Sequence, residues 1–425
     1  MLKQSLSISP NLRAVLFVSF ALMVGNARAA DPVLERSWHH EYSTPQDDWS
    51  YGVAMNQQGA VYVSGWTNGP DPLGATAFGG TDGFLAKINA DGSQAWKSQF
   101  GTPQGDKAYD VAIAADGGVY VAGITGGSLF EATPIGADDA FVTKYSTDGQ
   151  RVWTRQFGSH RNDNVWGLAT DSDDNIYVVG QREQSDNTWD AYVTKLSPSG
   201  SELWSWESGM ERSDYGFDVS VDSLGNVFVG GAAYPGPGYS DIYITKLSEN
   251  GTVQWEKVID VHEQDRANEV EADGLGNVYV KGQTHGSKGF LWKLDGTGDE
   301  LWGYEADDAS EWGLWANEDS VALIGVGGGI VQGYLRVNVK VYGSDGSYLY
   351  GGMTLEGGDQ DFLRVFPKAL AQDDEYGFAV AGFGDPSGPG GYDIFVERYG
   401  FVPEPATLAL LGLGGLALLR GRRAA

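Results

Sequence analysis

Residues 164–206 read NVWGLATDSDDNIYVVGQREQSDNTWDAYVTKLSPSGSELWSW, and this stretch decides the fold. It holds four short apolar segments separated by polar turns rich in Asp, Asn, Pro, Ser and Gly, which predicts four strands joined by short connections. The second segment runs apolar residues consecutively from Ile176 to Val179, as strands covered on both faces do. The stretch therefore predicts one four-stranded antiparallel sheet packed between two others.

The same pattern occurs seven times along the chain. An aromatic residue marks the closing strand of each copy, and the copies recur every 47 to 58 residues, at Trp38, Trp96, Trp153, Trp204, Trp255, Trp302 and Tyr350. A four-strand repeat with a period near 50 indicates a β-propeller. We therefore expect an all-β fold over residues 34–400: a seven-bladed β-propeller of four-stranded antiparallel blades.

The two ends of the array predict how the ring closes. The repeat array begins with a single strand around Trp38. It ends with a third strand over residues 393–399, which no fourth strand follows. We expect the N-terminal strand to complete the last blade, because this pairing removes open sheet edges.

Composition narrows the classes of function. The chain contains no Cys, which excludes disulfides, thiol catalysis and Cys-ligated metals. Its net charge is −29, and loss of six basic residues from the two ends would take it to about −35. Such a surface argues against nucleic acid as a partner and favours divalent cations or basic partners.

Residues 1–29 have the features of a signal peptide. Lys3 and Arg13 precede an apolar run from Ala14 to Val24, and Ala27 and Ala29 supply small residues for cleavage. A retained membrane helix is the alternative, but the run is only 11 residues long. We expect export.

Residues 402–425 carry a second sorting signal. Its three parts are a Pro-Glu-Pro motif, an apolar segment and a basic cluster: Pro403, Glu404 and Pro405, then 406–419, then Arg420, Arg422 and Arg423. This tail resembles the PEP-CTERM sorting tail of Gram-negative bacteria. The resemblance implies cleavage near the motif by an exosortase-type peptidase, after passage through the secretion machinery and transient inner-membrane contact through the apolar helix. The protein would then reach the cell surface or an extracellular polymer matrix; a permanent tail anchor is the alternative.

The repeat itself resembles the SBBP type of bacterial propeller motif. The resemblance rests on segments such as DSLGNVFVG at 222–230 and DIYITKL at 241–247, and it covers roughly residues 36 to 400. Copies one to five match well, whereas copy six departs in its turn and third strand and copy seven lacks the Gly-Asn turn. The resemblance implies a seven-bladed propeller.

Acidic residues form one candidate site. An Asp occupies the same place before the inner strand in six copies, at Asp48, Asp106, Asp163, Asp214, Asp265 and Asp361. A ring of carboxylates at a channel mouth is a candidate Ca²⁺ site. We favour a structural role instead, with each Asp accepting backbone N–H groups, because a residue needed in every blade serves the fold. Three residues further on in each copy stand Tyr51, Tyr109, Trp166, Phe217, Asn268, Trp312 and Arg364.

Aromatic residues form the candidate ligand face. The loops between second and third strands differ most between copies and should lie on the face that carries the Asp residues. The aromatic residues that we assign to this face are Trp66, Phe78, Phe130, Trp189, Tyr234 and Tyr239. Rings on stiff loops beside carboxylates suit sugar rings or a protein partner, although the same rings could pack over the blade ends. His262 and His285, near Glu263 and Asp265, are a weaker candidate metal or acid–base site.

Together these features predict an exported binding or scaffold module for polysaccharide or protein at the cell surface or in the extracellular matrix. No catalytic motif is recognisable, and no cofactor other than Ca²⁺ is expected. One alternative is a propeller enzyme that acts on glycans through acidic residues at the channel mouth. Two others are a purely structural matrix protein and a quinone-dependent dehydrogenase. The segment from Asp91 to Trp96 resembles the sequence repeat of such dehydrogenases.

Overall fold

The computed structural model describes residues 33–402, apart from 43–45, 70–76, 237, 262–263, 285–287, 307–310, 317–319, 327–335, 352–354, 357–361, 373–377 and 387–392. The predicted signal peptide, the Pro403–Pro405 motif, Asp361, His262 and His285 lie outside the described residues. Strands dominate the described chain, with one short 3-10 helix at Leu129–Glu131.

The first half of the chain contains β1 (Val33–Tyr42), β2 (Asp48–Met55), β3 (Val61–Thr67), β4 (Asp82–Ile88), β5 (Gln94–Phe100), β6 (Asp106–Ile113), β7 (Val119–Thr125), β8 (Asp139–Tyr145), β9 (Arg151–Phe157), β10 (Asp163–Thr170), β11 (Ile176–Glu183), β12 (Trp189–Leu196) and β13 (Glu202–Glu207). The second half contains β14 (Asp214–Val221), β15 (Val227–Gly236), β16 (Tyr239–Leu247), β17 (Val253–Ile259), β18 (Arg266–Ala272), β19 (Val278–Thr284), β20 (Lys288–Leu294), β21 (Glu300–Ala306), β22 (Glu311–Ala316), β23 (Ser320–Val326), β24 (Arg336–Gly343), β25 (Tyr348–Gly351), β26 (Leu355–Glu356), β27 (Phe362–Gln372), β28 (Phe378–Pro386) and β29 (Asp393–Val402).

The described strands form antiparallel sheets, each a meander of consecutive strands. Five sheets take four strands in chain order, from β2–β5 to β18–β21. The next sheet contains β22–β25, with β26 also paired to β24, and the last has the order β1-β29-β28-β27. The N-terminal strand β1 is thus the outermost strand of the last sheet, and Trp38 lies opposite Arg398.

The first strand of each meander is an edge strand of its sheet, and we call these edge strands the innermost strands. Strands β2, β6, β10, β14, β18 and β22 each contact the first strand of the following sheet, and β27 also contacts β2. The sheets pack through faces lined with apolar side chains, so that strands such as β7 and β11 are buried almost throughout. This two-sided burial explains the consecutive apolar residues in the sequence.

The recurrent Trp residues join neighbouring sheets. Each indole N–H donates to a carbonyl in the last turn of the next sheet at 2.9 to 3.2 Å, in the pairs Trp38–Ala90, Trp96–Thr147, Trp153–Pro198, Trp204–Glu249, Trp255–Gly296 and Trp302–Ser344. Trp38 on β1 therefore reaches the sheet β2–β5. The repeat thus uses its Trp to fasten sheet to sheet, because a half-buried indole needs a partner for its N–H.

Glycine in the same turns makes room for the indole. Gly251 has φ 79° in the left-handed region, and a Cβ there would lie 2.9 Å from the Trp204 ring. Gly92 has φ 85° and would place a Cβ 2.9 Å from Trp38. Backbone conformation and close packing therefore both require Gly at these turns.

Candidate functional site

A β-bulge recurs in the innermost strands. The pairing of first and second strands skips one residue between Ser50 and Gly52, and it skips the equivalent residue in the next five sheets. In the last sheet Arg364 is paired with Asp385, and the skipped residues are Leu363 and Lys368. The extra residues are Tyr51, Tyr109, Trp166, Phe217, Asn268 and Trp312. A bulge re-aims the side chain of its extra residue. The row of mostly aromatic residues noted in the sequence therefore coincides with a repeated irregularity in the innermost strands.

Five rings from three sheets form a continuous stack, which we call the aromatic belt: Trp66, Trp49, Tyr51, Tyr109 and Trp166. The ring centroids of Trp66 and Trp49 are 5.5 Å apart, and those of Trp49 and Tyr51 are 6.3 Å apart. Tyr51 meets Tyr109 edge-on at 5.2 Å, and Tyr109 meets Trp166 at 4.6 Å. These separations lie in the range of favourable aromatic pairs.

Polar groups flank the belt. The Trp166 indole N–H donates to the Gln181 side-chain oxygen at 2.6 Å. The Lys107 ammonium lies 5.0 Å from the centre of the Trp66 ring, within the range of a cation–π contact. All belt rings are half-buried except Tyr109, which is buried, and burial raises the pKa of the Tyr51 and Tyr109 hydroxyls. The belt thus offers apolar ring faces with hydrogen-bonding groups at the edge.

A second aromatic group lies on the fourth meander. Tyr215 stacks on Phe217 with centroids 6.2 Å apart, and Tyr234 meets Tyr215 edge-on at 5.3 Å. Phe217 is the bulge residue of β14, so this group occupies the same level of the fold as the belt.

Acidic side chains follow two of the bulge residues and connect innermost strands. Asp110 accepts from the backbone N–H of Val111 and of Leu168 in the next sheet, both at 2.8 Å. Asp218 likewise accepts from Val219 at 2.9 Å and from Val270 in the next sheet at 2.8 Å. These two carboxylates therefore supply hydrogen bonds between neighbouring sheets.

Burial raises the pKa of the acids in this region. Desolvation raises the pKa of Asp110 to about 7 and places that of Asp218 well above its usual range. It also raises the pKa of Glu271 to about 8, and the nearby Glu269 carboxylate adds to that shift. Glu269 itself pairs with Lys281 at 2.9 Å. Some carboxyl groups on the innermost strands are therefore protonated near neutral pH.

The Asp side chains of the predicted ring are buried under the loops that precede them in the sequence. Asp48, Asp106, Asp163, Asp214 and Asp265 are fully buried, and Asp361 lies outside the described residues. Asp106, Asp163 and Asp265 each accept from the backbone N–H four residues earlier, at 2.6 to 2.9 Å. These contacts support the structural interpretation. The interpretation as a Ca²⁺ site stays a prediction.

The partners of these carboxylates extend beyond their loops. Asp163 accepts from the Arg182 guanidinium at 2.7 Å, and Asp214 accepts from the Ala191 N–H at 2.9 Å. Desolvation raises the pKa of Asp106 and Asp163, and it raises that of Asp214 to about 6. In the described part of the chain, no three His, Asp or Glu side chains are grouped to hold a metal ion.

The six aromatic residues predicted to form a ligand face do not form a single cluster. Trp66 belongs to the belt and Tyr234 to the second aromatic group. Phe130 packs on Phe100 at 5.8 Å beneath Arg151, and Trp189 is half-buried. Phe78 is 51% exposed and Tyr239 is 49% exposed, both outside the belt.

Sequence reasoning did not select most of the belt. Tyr51, Tyr109 and Trp166 were visible as an aligned row, yet no role was assigned to them. Asp110 and Asp218 were not selected at all, although an acid inside an apolar strand is a signal that a sequence can show.

The comparisons with known proteins agree with this architecture. Residues 152–181 match the SBBP family, described as a β-propeller repeat. The matched segment runs from β9 into β11, so a β-propeller repeat is recognised in this part of the chain. Residues 401–423 match the PEP-CTERM protein-sorting motif, which implies export and processing by an exosortase. The predicted SBBP and PEP-CTERM resemblances are thus confirmed. Within the described residues of the propeller, no helix has the length and hydropathy that a membrane span needs.

One curated relative matches part of the propeller. It is the regulatory protein FlaEY of Caulobacter vibrioides, 26% identical over an alignment of 238 residues that covers 46% of this chain and 25% of the relative. The match thus spans about a quarter of the length of that protein.

Solved structures with similar folds include propellers of several kinds. The Pan2 WD40 domain of Neurospora crassa is 13% identical with a TM-score of 0.44, covering 70% of this chain and 90% of that domain. The propeller domain of the Trilobed protease from Pyrococcus furiosus is 12% identical with a TM-score of 0.45, covering 83% and 97%. An ulvan lyase from a polysaccharide lyase family is 10% identical with a TM-score of 0.48, covering 84% and 95%.

Proposed function

We propose that the sheets are the seven blades of a closed propeller. Three observations support this proposal: the contacts between successive innermost strands, the contact between β27 and β2, and the pairing of β1 with β29. The hydrogen bond from Trp38 to Ala90 adds a link between the last blade and the first. In such a ring the innermost strands surround a central channel, and the aromatic belt lies in its wall.

We propose further that this exported propeller binds a polysaccharide at the aromatic belt. The observation that carries the proposal is the continuous row of five contacting rings from three adjacent sheets. Apolar ring faces suit the apolar faces of sugars, and the Lys107 ammonium beside the Trp66 ring could bond to sugar hydroxyls. Sites with apolar walls and few polar groups are typical for small ligands and chain segments.

The position of the sorting tail indicates how the belt is oriented relative to the inner membrane. Strand β29 begins at the end of the fold where β2 and β6 begin, and it ends at the opposite end, at Val402. The sorting motif follows Val402 directly. While the tail holds the precursor at the inner membrane, the belt end therefore faces away from the membrane. After cleavage the propeller would join the cell surface or the extracellular matrix.

Binding to exopolysaccharide purified from the producing bacterium tests the belt. We expect the variants Trp66→Ala and Trp166→Ala to weaken binding about tenfold, which is about 1.4 kcal/mol, because each removes a stacking surface. Equilibrium dialysis or calorimetry on the mature protein measures the change. Urea unfolding of each variant verifies that the fold is retained.

The matched control is Tyr239→Ala, which removes an exposed ring outside the belt. This variant should bind as the wild type does. Equal loss of affinity in the control, or no binding by the wild-type protein, would contradict the proposal and favour a purely structural matrix role.

A further inference from the structure

One cross-strand position between third and fourth strands differs from sheet to sheet; it holds Ala86 with Lys97 in the first sheet and Thr245 with Glu256 in the fourth. In two other sheets the third and fourth strands carry a hydrogen-bonded pair there, Thr143 with Thr154 and Thr194 with Ser205, both at 3.0 Å between hydroxyl oxygens. In β20 and β21 the equivalent partners are Trp292 and Gly303. A small polar pair is thus replaced by the largest residue opposite the smallest.

The Trp292 side chain fits at this position because residue 303 is Gly. A Cβ at Gly303 would lie 2.8 Å from the Trp292 ring and 2.8 Å from a Glu300 carboxylate oxygen, so a larger residue would displace the indole. Trp292 also stacks on Phe290 with centroids 4.2 Å apart. The half-buried indole is therefore held across the face of the sheet by its neighbours.

The facing strand leaves space in front of this indole. At the preceding interface Trp206 packs into an apolar cluster with Tyr243. The equivalent residue on β17 is Lys257, and its ammonium turns away to the Gly298 carbonyl, with Asp299 at 3.4 Å. A groove of about 540 Å³ remains between the two sheets, which we call the lateral groove; its walls include Ile259, Val261, Trp292, Leu294, Gly303 and Glu305.

The acidic rim of the lateral groove and the strand edge beside it indicate what the groove would bind. Glu300 and Glu305 are exposed at its rim, and Lys257 on the facing strand is bonded to the Gly298 carbonyl. Both acids belong to β21, an edge strand that among the described strands pairs with β20 alone, and such an edge can pair with a further strand. A negative rim beside an indole and an open edge suits an extended segment with a cationic side chain.

We propose that the lateral groove is a docking site for a protein partner that presents Arg or Lys in an extended segment. The segment pairs with the free edge of β21, and its cationic side chain lies over Trp292 between Glu300 and Glu305. The strongly acidic chain attracts such a segment from a distance. This proposal is independent of polysaccharide binding at the belt, because the two sites share no residue.

The test measures binding of a fluorescein-labelled seven-residue peptide that alternates Val and Arg, by fluorescence anisotropy on the mature protein. The double variant Trp292→Thr/Gly303→Thr restores the pair found in the sheet β6–β9 and changes no charge. We expect it to fold and to bind the peptide about tenfold more weakly. Glu300→Gln/Glu305→Gln, which alters only exposed side chains, should weaken binding similarly.

The matched control is Thr143→Val/Thr154→Val, which changes the equivalent pair in another sheet and should bind the peptide as the wild type does. An unchanged dissociation constant in the Trp292 variant would overturn the proposal, since binding would then be general charge attraction. Failure of the wild type to bind the peptide would overturn it as well. Binding of maltohexaose that depends on Trp292 would also overturn it and assign the groove to sugars.

Discussion

At the residue scale, the fold depends on pairs formed between one sheet and the next. An indole from one sheet lies over a turn glycine of its neighbour, as Trp204 does over Gly251. The glycine satisfies two conditions there, a positive φ and a close approach. The sequence shows the Gly and the Trp as repeats, but it does not show that they meet, because they belong to different copies.

A comparison of Gly251→Ala with Gly209→Ala separates the effect of the positive φ from that of the close approach to the indole. Gly209 also has a positive φ, 60°, but a Cβ there meets nothing within 4 Å. We expect Gly209→Ala to lower the free energy of unfolding by about 1 kcal/mol through backbone strain alone. Gly251→Ala should lower it by about 3 kcal/mol, because the Trp204 indole must also shift. Urea unfolding measures both, and equal losses would show that the indole contact is unimportant.

At the element scale, the innermost strands β6 and β14 each combine a bulge, an aromatic ring and a half-buried acid. The sequence predicted the strands well: it placed four strands within residues 164–206, and the structure has β10 to β13 between Asp163 and Glu207. The bulge was not predictable, because it is a relation of register between two strands. For the same reason the aligned row of Tyr51, Tyr109 and Trp166 showed a period but not a shared stack.

The buried acids predict how stability varies with pH. The folded state raises the pKa of Asp110 to about 7 and of Glu271 to about 8, so it retains protons that the unfolded chain releases above its usual carboxyl pKa of about 4. The folded state therefore loses stability as the pH rises from the usual carboxyl pKa towards the raised pKa values of these two groups. We expect the free energy of unfolding to fall between pH 5 and pH 8, by at most about 1.4 kcal/mol per pH unit for each group.

Asp110→Asn tests this dependence, because the variant carries no titrating group at that position. Its plot of unfolding free energy against pH, from urea titrations, should be flatter than that of the wild type between pH 5 and pH 7. The control is Asp91→Asn, an exposed site where hydrogen bonds from Ser93 lower the pKa, so its plot should keep the wild-type slope in this range. A slope unchanged in Asp110→Asn would refute the assignment.

At the scale of the whole molecule, the pairing of β1 with β29 connects the two ends of the array. The sequence predicted this pairing from the phase of the repeat, since an unmatched first strand and an incomplete last sheet complement each other. The candidate site was less predictable at this scale. Its rings come from three copies, and only the packing of those copies shows which aromatic residues meet.

A disulfide between the end strands tests the proposed closed ring. His39 lies opposite Glu397, and the chain has no Cys that could form a competing bond. We expect His39→Cys/Glu397→Cys to oxidise within one molecule and to raise the unfolding free energy by up to about 5 kcal/mol, since the bond closes almost the whole chain. His39→Cys/Gly400→Cys, whose residues are out of register, should not oxidise internally. Intermolecular dimers of the first variant would contradict the ring.

The pairing of Trp38 with Arg398 also has a consequence for the order of events during synthesis. Strand β1, the first strand of the described residues, finds its partner about 360 residues later. At typical elongation rates it waits roughly 20 to 70 s with an unpaired edge. The growing polypeptide is therefore most prone to aggregate before its last strand arrives, and an export chaperone that shields β1 during this delay would raise the yield more than one acting on any later strand.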